Sequence, residues 1–258
     1  GKPGNLTAAL FGYPDYEYDF KNKSSAASHS SNKAVARYGL NDLPKLPGTK
    51  TEVEEISKEL KNKSWKVDLY TSETASEENL RKINSPGVLH IATHGYYLKD
   101  VDTKDKLFLG FESKNIKDNS FLRSGILLAG VGPSTADSLN TSSENDGIVT
   151  AYEASLFNLS NTNLVVLSAC QTGLGDNMGS QGVAGLQRSF AIAGAKNIMM
   201  SLWPVDDIST QFLMTEFYKN YVTSQNAEDS FKKAQNEVKK KYPHPYYWAA
   251  FVLLKTFN

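Results

Sequence analysis

Two segments, "VLHIATHG" from Val88 and "LVVLSACQTG" from Leu164, constrain the fold more than any other part of the chain. Each is mostly apolar until a reactive side chain and a glycine appear. A strand with one face in water alternates apolar and polar residues, whereas a near-continuous apolar run marks a strand covered on both faces. "LTAALFGYP", from Leu6, has the same density. Between such strands lie amphipathic stretches. "PGTKTEVEEISKEL" opens a helix that Thr49 is placed to cap, with Glu52 at the capping-box position and Val53, Ile56 and Leu60 on one face. "WKVDLY" is a strand, and "ASEENLRKI" a short helix capped by Ser76 or its neighbours. "LFLGF" and "SGILLAG" are expected to form a hairpin with each other. Helix "TAYEASLFNL", strand "NLVVLSAC", helix "GVAGLQRSFAIAG", strand "KNIMMSLW", two further helices and a final strand "WAAFVLLKTF" complete the order. Alternating strands and helices specify an α/β fold with a mostly parallel central sheet flanked by helices on both faces.

There is no internal repeat and no break between two cores, so residues 1–258 are expected to form a single domain. Two stretches are too polar to bury much and are expected to be flexible loops, one at about 15–48 containing "KNKSSAASHSSNK" and one at 132–146. The N-terminus "GKPGNL" has neither a signal-peptide core nor an initiator Met, and further domains such as repeats are expected before it.

Lys plus Arg and Asp plus Glu are 28 each. A neutral chain has no electrostatic reason to take nucleic acid or an anionic membrane as its main partner. No apolar run approaches the ~20 residues that span a bilayer. Cys170 is the only cysteine, so no internal disulfide forms, as a reducing cytoplasm would produce.

In an open α/β sheet the reactive groups gather at the carboxyl ends of the strands. His94 follows one apolar strand, with Gly95 giving the backbone freedom for a sharp turn, and Cys170 follows another. Alternation sends Leu89, Ile91 and Thr93 to one face and His90 and Ala92 to the other, with His94 at the exit. If the two strands are neighbours, imidazole and thiol meet. The imidazole then takes the thiol proton, the thiolate attacks, and backbone N–H groups hold the oxyanion. Taken singly, a strand-end Cys is more often a small hydrophobe and a His in such a strand more often structural. One Cys and four scattered His offer no metal-ligand spacing, and no cofactor is expected. No G-x-S-x-G occurs for serine chemistry. The rival is nucleotide binding at "TGLGDNMGSQG", but its glycines are spaced G-x-G-x-x-x-G and no P-loop Lys follows.

Taken together, "LPGTKTEVEEI", "VLHIATHGYY", "DGIVTAYEASLFNL", "LVVLSACQTGLGD", "GSQGVAGLQRSFAIAGAKNIMMSLWPVDD" and "HPYYWAAFVLL" resemble, in order, the motifs of the CHAT domain. This family is caspase-like, belongs with caspases, separases and gingipains, and is often attached to TPR repeats. The resemblance runs from about residue 44 to the C-terminus. It implies the caspase–hemoglobinase fold and a cysteine endopeptidase, with His94 as general base and Cys170 as nucleophile. The backbone N–H groups of Gly95 and Cys170 would be the oxyanion donors. The local signature differs from that of caspases: S-A-C-Q-T-G stands in place of Q-A-C-x-G, with Ser168 where Gln would be. His94 and Cys170 are 76 positions apart, wider than the ~50 of caspases.

The same resemblance bears on specificity. In the separase branch an acidic residue in the segment matching "LWPVDD" accepts a basic P1 side chain, which implies Asp207 or Asp206. Two adjacent Asp also allow one to cap the following helix. Asp146 is a further candidate for the cleft, or else a plain turn residue. Trp203 and Trp248 are expected to pack beneath the cleft. A protein substrate and a regulatory or repeat-domain partner are expected, with the loops at 21–33 and 132–146 as control points. The alternative is a latent CHAT module used for docking or signalling.

Overall fold

A computed structural model describes residues 5–25, 43–97, 107–108, 111–112, 119, 121–132, 145–168, 180–203 and 206–256. The central sheet has six strands: β1 (Thr7–Pro14), β4 (Lys66–Ser72), β5 (Val88–Ala92), β11 (Leu164–Leu167), β12 (Asn197–Ser201) and β13 (Phe251–Lys255). Their spatial order is β13-β12-β11-β5-β1-β4. All neighbours pair in parallel except β12 and β13, which are antiparallel. The expected mostly parallel sheet is therefore present, and its two most apolar strands, β5 and β11, lie side by side at its centre.

Helices cover both faces. One face carries α1 (Pro47–Lys61), α5 (Asp207–Ser224) and α6 (Ala227–Lys241), whose Val53, Ile56, Leu213, Phe217 and Phe231 pack on Leu10, Val88, Val166 and Met199. The other carries α2 (Glu77–Arg81), α3 (Ala151–Ala154) and α4 (Ser180–Ile192), with Leu80, Ala154 and Phe190 against Phe11, Leu89, Ile91 and Val165. Leu89 and Ile91 thus face one core while Val88 and Ala92 face the other, as strand alternation requires. Trp203 and Trp248 pack against the first core, the latter from the short α7 (Pro245–Trp248).

A side sheet of β6 (Gly95–Tyr97), β9 (Ser124–Leu127) and β10 (Ile148–Thr150) runs in the order β10-β9-β6. This corrects the expected hairpin. "SGIL" pairs with β6 and β10, while "LFLGF" closes on itself as β7 (Leu107–Phe108) and β8 (Phe111–Glu112). A small hairpin of β2 (Tyr18–Asp19) and β3 (Ser24–Ser25) lies within the stretch read as a loop. The remainder of the serine-rich stretch, and residues 133–144 of the second loop, lie outside the described residues.

The start of α1 also differs from expectation. Pro47 occupies the first turn, where its missing N–H costs nothing, and Leu46 stands at the N-cap without a side-chain bond. Thr49 lies inside the helix, donating to the Leu46 carbonyl at 2.7 Å and accepting from the Tyr13 N–H at 2.9 Å. Glu52 is consequently not a capping-box residue but is buried against β5. α1 approaches β1 so closely that a Cβ on Gly12 would stand 2.8 Å from Val53 Cγ1 and 2.9 Å from the Thr49 carbonyl oxygen. Ser76 caps α2 as expected, accepting from the Asn79 N–H at 3.3 Å.

Candidate active site

The register places the ends of β5 and β11 together. Val166 lies opposite His90 and Leu167 opposite Ile91, and the Ser168 N–H donates to the Ile91 carbonyl at 3.0 Å. His94 follows Ile91 by three residues and Cys170 follows Ser168 by two. Cys170 itself, like the glycine-rich segment 171–179, lies outside the described residues. The expectations on its thiol and its N–H therefore fall beyond them.

His94 is buried, with 2 % of its surface exposed. Its Nε2 lies 2.9 Å from the carbonyl oxygen of Pro44. A carbonyl only accepts, so Nε2 carries the proton in this bond and Nδ1 is the basic nitrogen of the neutral ring. Pro44 sits on the chain entering α1. The ring of Tyr16, just past β1, lies 5.3 Å from the imidazole at a tilt of 34°. Tyr16 Oη accepts from the His94 N–H at 3.2 Å, and the His94 carbonyl accepts from the Leu127 N–H at 2.9 Å. None of these contacts was signalled by the sequence. Pro44 acts through a main-chain atom, and Tyr16 falls in a stretch that reads as a loop.

Gly95 is buried and opens β6 opposite Ile126. Among the described residues the glycines with positive φ are Gly130, Gly147 and Gly194. The chain therefore turns out of β5 and enters the side sheet at Gly95 without a left-handed glycine at that position.

The two aspartates at the start of α5 divide their work. Asp206 is the N-cap, its Oδ2 accepting from the Ser209 N–H at 2.9 Å. Asp207 is the more exposed of the two and rests over the first turn of α1, where a Cβ on Gly48 would stand 3.3 Å from its Cβ. Partial burial raises the Asp207 carboxyl above its ordinary value, the charges of Asp206 and Glu52 push it the same way, and His94 pulls it back. Asp207 and His94 thus share one electrostatic neighbourhood.

Nearby, three buried hydroxyls have no hydrogen-bond partner among the described residues. Ser168 lies just past β11, Ser201 ends β12, and Thr210 lies one turn into α5. Ser201 follows Met199 by two residues and so faces the α5 side, which Thr210 also lines beside Leu213 and Met214.

Asp146 belongs to a different cluster. Its Oδ1 accepts from the Ile148 N–H at 2.8 Å, and its carboxyl lies in the electrostatic neighbourhood of Glu77. Glu77 accepts from Arg81 Nη2 at 2.6 Å and from the Gly147 N–H at 3.2 Å, while Arg81 also bridges to Glu153 at 2.9 Å. Burial first, then the neighbouring carboxylates, push Glu77 up to about 8, and burial pushes Asp146 to about 6. Two buried carboxyls so placed each disfavour the other's ionisation.

Below His94, on the α1 and α5 side, Glu52 Oε1 lies 3.0 Å from His90 Nε2, and His90 Nδ1 lies 3.1 Å from Tyr218 Oη. His90 thus meets Tyr218 of α5 through a hydrogen bond and Glu52 of α1 by proximity alone, since neither Glu52 Oε1 nor His90 Nε2 has a hydrogen-bond partner among the described residues. Among the described residues, no group of three or more His, Cys, Asp or Glu side chains is arranged to hold a metal ion. No helix among them is long and apolar enough to cross a membrane.

The family model described as "CHAT domain" matches residues 16–256. The chain belongs to the CHAT domain family. Tetratricopeptide repeat protein 28 of Mus musculus is 33% identical to this CHAT domain over 93 residues, which cover 35% of this chain and 4% of that protein. The Homo sapiens protein of the same name is 32% identical over 93 residues, with the same coverage. The domain thus matches only a small part of either relative. The mostly parallel sheet with helices on both faces accords with the caspase-like fold that the resemblance implies.

Proposed function

We propose that this CHAT domain is a cysteine endopeptidase in which His94 and Cys170 act as a dyad on a protein substrate. One observation carries the reading. β5 and β11 are adjacent parallel strands whose ends are joined by the Ser168–Ile91 hydrogen bond, and the chain reaches Cys170 two residues later. Two residues span at most about 7 Å, which supports a thiol within reach of the strand end beside the one that delivers His94.

The chemistry follows from the ring tautomer. With Nε2–H held by Pro44, Nδ1 takes the proton of Cys170 Sγ. The thiolate attacks the scissile carbonyl carbon, and the oxygen takes the negative charge beside the N–H groups of Gly95 and Cys170. The protonated imidazole returns its proton to the departing amine as the C–N bond breaks. Water, deprotonated by the same nitrogen, then hydrolyses the thioester and regenerates the thiol.

Asp207 supports a preference for Arg or Lys at P1. With Asp206 committed to the helix cap, Asp207 is the carboxylate left beside His94, and a substrate guanidinium or ammonium pairs with it. The unpartnered hydroxyls of Ser168, Ser201 and Thr210 are acceptors of the kind a cation uses once it has left water. The tetratricopeptide repeat relatives support a repeat-bearing partner, and the single cysteine supports a cytoplasmic setting. A positional peptide library tests the reading. Cleavage after Arg or Lys that depends on Cys170 is expected, and a library left intact with repeat partner present would favour a docking module.

A further inference from the structure

Four hydrogen bonds around His94 form a closed circuit whose direction is determined by proton count. The Thr93 hydroxyl lies in short hydrogen-bond contact with the carbonyl oxygen of Leu127, which only accepts, so the one hydroxyl proton of Thr93 is spent there. Thr93 Oγ1 and Tyr16 Oη are 2.9 Å apart, and Thr93 must accept in this bond because it has no second proton to give. Tyr16 therefore donates to Thr93, and its oxygen lone pair receives the His94 N–H at 3.2 Å. The Leu127 N–H closes the loop on the His94 carbonyl at 2.9 Å. Both main-chain polar groups of His94 are thus fixed, one of them through a phenol.

We propose that Tyr16 is a positioning residue for His94, holding its main chain and ring so that Nε2–H faces the Pro44 carbonyl and Nδ1 remains the base. The proposal rests on the dyad reading for its catalytic meaning, but the geometry stands without it. Tyr16 is fully buried, and its ring lies tilted beside the imidazole while its hydroxyl holds the backbone of the same residue. One side chain thereby constrains both the position of His94 and the plane of its ring. Burial also pushes the phenol up to about 12, so the donor to Thr93 persists at any working pH. The side chain that does this comes from the end of β1 and reaches across to β5. The Asp15 carboxylate beside it meets Lys45 at 3.6 Å, next to Pro44. A half-exposed ion pair thus links the two segments that hold the imidazole.

Tyr16→Phe removes one oxygen and keeps the ring. The first readout is the tautomer of His94 from its ring ¹⁵N chemical shifts, which needs neither substrate nor Cys170. The native domain is expected to show one dominant Nε2–H tautomer, and Tyr16→Phe a mixture. The second readout is alkylation of Cys170 by a peptide electrophile. The maximal inactivation rate is expected to fall about tenfold or more with the half-saturating concentration unchanged, the signature of a misplaced base. Thr93→Ser keeps the circuit and should behave as the native protein. Thr93→Val breaks it one bond further on and serves if Tyr16→Phe does not fold. An unchanged His94 tautomer in folded Tyr16→Phe or Thr93→Val overturns the proposal. A native protein that shows the ordered tautomer yet never alkylates would instead count against the peptidase reading and leave the positioning role standing.

Discussion

His94 Nε2 and the carbonyl oxygen of Pro44 stand 2.9 Å apart, and this bond decides which ring nitrogen is the base. His94→Gln keeps an N–H able to reach Pro44 but supplies no basic nitrogen. The variant should fold with a melting temperature near that of the native domain and lose peptidase activity by about 10³-fold or more. Cys170→Ser should do the same. Thermal melts alongside peptide turnover check both.

Asp206 and Asp207 are neighbours with separable roles. Asp206→Ala removes the α5 cap and should cost about 1 kcal/mol of stability in urea titration with P1 preference unchanged. Asp207→Asn should leave stability almost unaffected. It should lower kcat/KM for Arg-P1 peptides about a hundredfold while leaving peptides with an uncharged P1 nearly unaltered.

The Glu77–Asp146 pair makes stability fall as pH rises. Glu77 binds its proton more tightly folded, about 8, than its ordinary value of 4.5, so the folded state holds the extra proton between those values. The stabilisation is present at the acid end of this window and is lost as pH climbs through about 8. Urea titrations from pH 5 to pH 8 should record a loss on the order of 3 kcal/mol from this site. Glu77→Gln, which carries no exchangeable charge, should flatten the slope.

Glu52 and His90 form a buried pair whose separate truncations should not add. Glu52→Ala leaves His90 without its carboxylate and should cost about 3 kcal/mol. His90→Ala should cost a similar amount, and the double variant clearly less than the sum. A double-mutant cycle with a coupling of about 1 kcal/mol or more is the expected result.

Much of this was legible in the sequence for a physical reason. β5 and β11 announce themselves because each is an apolar run too short for a helix, bounded by polar or glycine residues, as a strand buried on both faces is. His94 is conspicuous because it ends such a run. Asp206 and Asp207 could be narrowed to a cap and a free carboxylate, but not told apart, since both sit where a helix N-terminus welcomes a negative charge. The start of α1 is ambiguous in the sequence because Pro47 and Thr49 each make a valid opening, and only packing of Thr49 against Tyr13 selects between them. Local pairing is the default and points "SGIL" to its sequence neighbour, whereas its partners β6 and β10 lie on either side in the chain. Tyr16 and Pro44 left no trace. A carbonyl oxygen belongs to every residue, and a tyrosine in a polar stretch gives no sign of the histidine 78 positions later.

The central claim is that the thiol of Cys170 is activated by His94. Intact-mass spectrometry after incubation with a peptide acyloxymethyl ketone bearing Arg at P1 tests it most directly, run on the native domain and on His94→Gln with any repeat-bearing partner present. A single adduct localised to Cys170 in the native protein, and absent from His94→Gln over the same time, is the predicted result. No adduct on the native protein, or equal labelling of both, would contradict the account.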